Sequence, residues 1–239
     1  MSNNSIFSTL VNVFASPGDA FATIKEQQRA WLPLLILFIG ICTVSLLYLN
    51  KVDLRWLIDS QIAQRGVELT AEQRQKAVDQ ALRLSPSVYG AIGAFTSSIG
   101  LLIFISIASL YYAGVSFVTG DGVKFKQWFG LISWCTLPAV LGIVAQIINL
   151  LVSDARFMPQ EALNPLAFGN LLAIDRTGAT LVQRILLGID VTSLWSLVLQ
   201  VLAYQAWTKS SFVKTIGVVF APLVLIVGVA SAFAFVRGG

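Results

Sequence analysis

Five long stretches without charge run through the sequence: Trp31–Leu49, Val88–Thr119, Trp128–Ser153, Ile185–Trp207 and Thr215–Val236, with one charged residue, Asp190, inside any of them. A helix needs about 20 apolar residues to cross the hydrocarbon core of a bilayer. Backbone polar groups in hydrocarbon must be satisfied within the segment, so runs of this length commit the chain to helices. Charged residues make up 12% of the chain and mean hydropathy is +0.78, whereas a soluble domain carries roughly 25% charge. The expected fold is therefore all-α: a polytopic transmembrane helical bundle with five membrane-spanning helices. As one helix, Val88–Thr119 would measure about 48 Å, longer than the core, so its lipid-facing part is set at 92–118. The other spans are set at 31–49, 128–152, 185–207 and 215–236. Pro138 and Pro222 fall inside spans three and five. Each would kink its helix unless a neighbour bonds the carbonyl it frees.

Residues 1–30 form a distinct segment. Ile6, Phe7, Leu10, Val11 and Phe14 lie on one helical stripe. Ser16-Pro17-Gly18-Asp19 then opens a second short helix carrying Phe21 and Ile24. The segment is expected to be one or two amphipathic helices lying in the membrane interface. It has neither a signal-peptide pattern nor a lipidation motif, so span one is expected to stay as an anchor. Trp31, Tyr48, Trp128, Tyr204 and Trp207 sit at span ends, where aromatic rings anchor helices at the headgroups. The polar region 50–86 is expected to be a helical hairpin resting on the membrane or on the bundle. Leu54, Leu57, Ile58 and Ile62 mark its first helix, and Thr70-x-x-Gln73 is a capping box opening its second. Ser85-Pro86 then restarts the chain into span two.

An odd number of spans puts the termini on opposite sides. Lys25, Arg29, Lys124, Lys126, Lys209 and Lys214 fall on the side of the N-terminus, against ten basic residues on the other side. Six of those ten are diluted over the 37-residue loop 50–86, where five acids nearly cancel them, whereas the N-terminal side concentrates its cations in two tight loops. The expectation is a cytoplasmic N-terminus and a periplasmic C-terminus. The net charge of +4 suits anionic headgroups. No basic run interleaved with aromatic residues suggests nucleic acid.

Asp190 is the sharpest chemical signal. It lies six residues into span four as drawn, and a carboxylate at depth costs a few kcal/mol unless it faces protein or water. Alternating spans bring Gln146 and Asn149 of span three to its depth, with Thr96, Ser97 and Ser98 of span two, Ser45 of span one and Ser231 of span five. This predicts a polar layer in one half of the membrane, with Asp190, Asn149, Gln146 and Ser97 as a candidate site. It serves either as interhelical hydrogen bonding or as a small polar cavity or proton relay. Histidine is absent, and Cys42 and Cys135 sit in apolar surroundings, so neither metal ligation nor a cofactor is expected. No P-loop, G-x-S-x-G, HExxH or intramembrane protease motif appears, and no catalytic residue is assigned.

The order of features resembles one known family. An amphipathic segment with Phe14, Ser16-Pro17, Ala20-Phe21 and Ile24 leads to Trp31 and Pro33 at the first of five spans. A polar loop, a Gly/Ser-rich second span and a Pro138-bearing third span follow. This looks like a bacterial member of the Yip1 family. The resemblance implies five transmembrane helices with a cytoplasmic N-terminus, in the bacterial inner membrane. Eukaryotic relatives act in vesicle traffic and bind Rab-type GTPases. They carry a long cytoplasmic N-terminal region that this sequence lacks, which counts against GTPase binding. The function expected is that of a non-enzymatic multi-pass protein. It would act through helix packing and a membrane-protein partner or homo-oligomer in membrane organisation or assembly. The alternative is a small transporter or channel using the polar layer around Asp190.

Overall fold

The computed structural model describes residues 6–27, 29–64, 70–174, 183 and 186–238. Its elements are helices α1 (Ile6–Ala15), α2 (Pro17–Gln27), α3 (Trp31–Lys51), α4 (Leu54–Gln64), α5 (Ala71–Ala81), α6 (Pro86–Thr119), α7 (Phe125–Cys135), α8 (Ala139–Val152), α9 (Phe168–Leu171), α10 (Val191–Thr208) and α11 (Phe212–Gly238), with a 3-10 turn at Gln160–Ala162. No strand forms among the described residues, only an isolated bridge between Ala167 and Asp190. The chain is thus an all-α polytopic membrane protein. Four helical runs are long and apolar enough to cross a membrane: Trp31–Lys51, Pro86–Thr119, Phe125–Val152 and Phe212–Val229. The region of the remaining expected span holds α10, whose 18 residues include Gln200 and Gln205 and which is not among these four. The expected start of that span, Ile185, lies outside the described residues.

Contacts divide the chain into two compact units, Met1–Leu37 with Leu102–Ala139 and Leu166–Gly239, and Phe38–Leu101 with Val140–Pro165. In the second unit the helices α4 and α5 pack against each other. The Thr70–Gln73 capping box closes with both reciprocal bonds, at 3.2 and 2.9 Å. Two ion pairs, Arg55–Asp79 and Arg74–Asp59, tie α4 to α5. The hairpin packs on protein: Leu57, Ile58 and Val78 share one core with Val52 and with Val44, Tyr48 and Leu150 of α3 and α8. The segment after α8 is stitched to the same core by Tyr48 Oη donating to Met158 O (2.8 Å) and Asp53 N donating to Arg156 O (2.8 Å). Lys51 Nζ donates to Leu150 O at the end of α8, where a cation also complements the helix dipole. At Gly40, α3 and α8 approach so closely that a Cβ would lie 2.7 Å from Ile143 Cδ1.

In the first unit, α1 and α2 have different roles. Thr9 and Val13 of α1 are buried while Phe7, Val11 and Phe14 are exposed, the two-faced pattern expected of an interfacial helix. The apolar side of α2 turns inward instead: Ala20, Phe21 and Ile24 are buried. Trp207 Nε1 donates to Phe21 O (3.0 Å) and Trp134 Nε1 donates to Arg29 O (2.7 Å). Lys25 Nζ donates to Trp207 O and stands 5.7 Å from the centre of its ring.

Two prolines shape this unit. Pro138 ends the helical run, so span three consists of α7 and α8, and the carbonyl of Trp134 takes a tighter bond from Leu137 N (3.1 Å). Pro222 lies inside α11 and removes the donor that Val218 O would receive four residues on. Tyr111 Oη supplies that bond at 2.8 Å, from α6.

Candidate functional site

Apolar stripes face outward along the spans, as at Leu141, Val144, Ile148 and Leu151 of α8. The site candidates are the polar groups these spans enclose. In the second unit α3, α6 and α8 line a cleft of about 330 Å³. Its walls are Ile41, Val44, Leu49, Ile143 and Leu163, and its polar lining is Ser45, Ser97, Gln146, Gln160 and the two tyrosines Tyr48 and Tyr89. Gly93 opens one side, with nothing within 4 Å of where a Cβ would stand. At Gly90, one turn earlier, α6 approaches α3 closely, with Leu49 Cδ1 at 3.3 Å from a built Cβ. Two of the four expected site residues, Ser97 and Gln146, therefore come together here, joined by Ser45.

Asn149 sits one turn beyond Gln146 but is used locally. Its Nδ2 donates to Ala162 O (3.1 Å) and Leu163 O (3.0 Å), and its Oδ1 accepts from Ser153 Oγ (2.9 Å). The carboxamide thereby satisfies carbonyls of the 3-10 turn, a task that any polar group at that depth performs more cheaply than it stays unpaired.

Asp190 belongs to the first unit and is not among the residues lining the cleft. It stands at the N-cap of α10 instead of six residues inside a helix. Its Oδ1 accepts from Ser193 N (2.7 Å), Ser193 Oγ (2.8 Å) and Thr192 Oγ1 (2.8 Å). The backbone around it is held by Phe168 N donating to Ile189 O and Val191 N donating to Leu166 O. A carboxylate fits this position because it meets free N–H groups and the positive end of the helix dipole. The Asp-x-x-Ser pattern with Thr192 between was the available signal; an apolar run on both sides of Asp190 concealed it.

Sequence reasoning also missed a buried aromatic cluster in the first unit. Trp128, Tyr204 and Trp207, expected as interfacial anchors, are at most 6% exposed. Tyr112 stacks on Trp128 at 5.0 Å, and Trp128 stacks on Tyr204 at 5.7 Å and meets Trp207 at 5.4 Å. Trp128 Nε1 donates to Ser116 Oγ (2.9 Å) and Tyr112 Oη donates to Gln200 Oε1 (3.0 Å). Tyr48 is buried too, whereas Trp31 is 55% exposed. The polar atoms of Trp128, Trp207 and Tyr112 find protein partners inside, whereas the buried Tyr204 Oη has none and the ring is held by stacking on Trp128. Their shared depth across three spans was the signal that could have revealed them.

Among the described residues no group of three or more His, Cys, Asp or Glu forms a potential metal site. A family model of the Yip1 domain matches residues 11–233. No curated protein and no solved structure matches the chain. The match runs from the amphipathic segment through the last span and joins a fold built of apolar helices, and the chain belongs to the Yip1 family.

Proposed function

We propose that this is a non-enzymatic protein of the bacterial inner membrane, with its N-terminus cytoplasmic. It works by helix packing with a second membrane protein or a second copy of itself, in membrane organisation or assembly. The observation that carries this reading is the surface of α11. Only 11% of its apolar window is buried, the least of the four spans. Gly217, Val224 and Gly228 fall on one face by helical period, all exposed, and neither glycine has a neighbour within 4 Å of a Cβ position. Small residues on a lipid-exposed face let a second helix backbone approach closely, which is how transmembrane helices gain packing in the absence of a hydrophobic drive.

A photoreactive residue at Val224, activated in native membranes, tests this. The expected product is a discrete higher-mass protein adduct that Gly217→Leu with Gly228→Leu removes. Labelling of lipid alone overturns the reading.

The polar cleft supports a second reading, a small transporter or channel. Gln146, which lines the cleft, separates the two. A wild-type flux in proteoliposomes that Gln146→Leu abolishes would favour transport, and the absence of any wild-type flux would rule it out.

A further inference from the structure

The cleft in the second unit gathers several span polar groups that have no partner among the described residues of the chain. Hydroxyls in these spans mostly bond back to their own helix: Thr43 to Ile39 O, Ser98 to Ala94 O, Ser106 to Leu102 O and Ser109 to Ile105 O. Asn149, one turn from the cleft, is satisfied by loop carbonyls. Among the described residues Ser45, Ser97 and Gln146 have no side-chain hydrogen bond, and all three line the cleft. A donor left unpaired at membrane depth is costly, so these groups call for a partner from outside the chain.

From this geometry we infer that the cleft holds the glycerol-ester region of a bilayer phospholipid, with part of one acyl chain along Ile41, Val44 and Ile143. Five features select that ligand. Two hydroxyls and a carboxamide offer donors, and the ester carbonyls of a phospholipid accept. No charged side chain lines the cleft, so the phosphate stays outside it. Ser45 and Gln146 each lie six residues before the ends of α3 and α8, about 9 Å deep. Lys51 ends α3 at the headgroups, and the headgroup layer is roughly 5–8 Å thick on each side, which brings both residues to the depth of the esters. The cleft is lateral: Ser97 and Gly93 are exposed while Val44, Tyr48 and Leu49 behind them are buried. A volume of about 330 Å³ is at the small end of ligand pockets. It suits one segment of a lipid and is too small for the whole molecule.

The test uses the full chain in vesicles of phosphatidylethanolamine and phosphatidylglycerol, containing a phospholipid with a diazirine near the carbonyl end of one chain. After irradiation, the adducts are mapped by mass spectrometry. Labelling is expected at Ser45, Ser97 and Gln146, beside general labelling of the outward stripe at Leu141 and Ile148. Gly93→Leu, which plugs the cleft from a position with free space around it, should abolish the cleft adducts and leave the stripe labelled. Ser97→Ala with Gln146→Leu should lower them about fivefold, the order expected for losing two membrane hydrogen bonds. Stripe labelling reports that either variant is folded in the bilayer. The inference is overturned if the cleft is unlabelled while the stripe is labelled, as for a cleft holding water or a second copy. It is equally overturned if cleft adducts persist unchanged in both variants.

Discussion

Tyr111 carries a polar bond that the sequence makes intelligible only after the fact. Pro222 deprives Val218 O of its helical donor, and Tyr111 Oη replaces it at 2.8 Å. Tyr111→Phe should destabilise the protein by about 1 kcal/mol. Pro222→Ala restores a donor within α11, so Tyr111→Phe should cost clearly less in that background. A double-mutant cycle read by denaturant unfolding in detergent measures this, and strictly additive costs would show that the two residues do not share the carbonyl. Asp190 and Asn149 teach the complementary lesson. Both were legible as polar residues at unusual depth, and both are consumed by local structure, one as a helix cap and the other as a loop clamp. Composition marks where a polar atom is expensive. Whether a neighbour a few residues away absorbs the cost depends on where the helix starts or the loop turns back, and a one-turn difference decides it.

Among elements, the hairpin α4–α5 and the helix starts at Pro17, Thr70 and Pro86 follow from capping chemistry written in four or five consecutive residues. The placement of α2 does not. Its Phe21 and Ile24 read equally as a lipid-facing or a protein-facing stripe, and the choice fell to Trp207 and Trp134, each more than a hundred residues away. Trp207→Phe keeps the ring and removes the donation to Phe21 O. Trypsin cleavage after Lys25 in nanodisc-embedded protein should then speed up about three- to tenfold, and an unchanged rate would mean that burial alone holds α2. The close crossing of α3 and α8 gives a second expectation. Gly40→Ala should cost about 1–3 kcal/mol by overpacking against Ile143, and Ile143→Ala should relieve most of it. Reversible unfolding of the single and double variants checks both.

For the whole molecule, the proposed topology of five crossings with a cytoplasmic N-terminus predicts that Thr70→Cys is labelled by a membrane-impermeant maleimide only from the periplasmic side. Ser210→Cys should be labelled only from the cytoplasmic side. The native Cys42 and Cys135 lie within spans, Cys135 fully buried, and should stay unlabelled in intact membranes. Labelling of both engineered positions from one side would refute the topology. The sequence by itself determined the solvent, the all-helical class and the family. These depend on long-run averages of hydropathy and on short capping motifs, which no distant contact can reverse. Only the tertiary structure decided which aromatic rings left the interface for the interior, and which of the polar residues sharing one depth were already satisfied. Those outcomes depend on hydrogen-bond partners brought together across the chain, and pairing of that kind leaves no period or spacing to read.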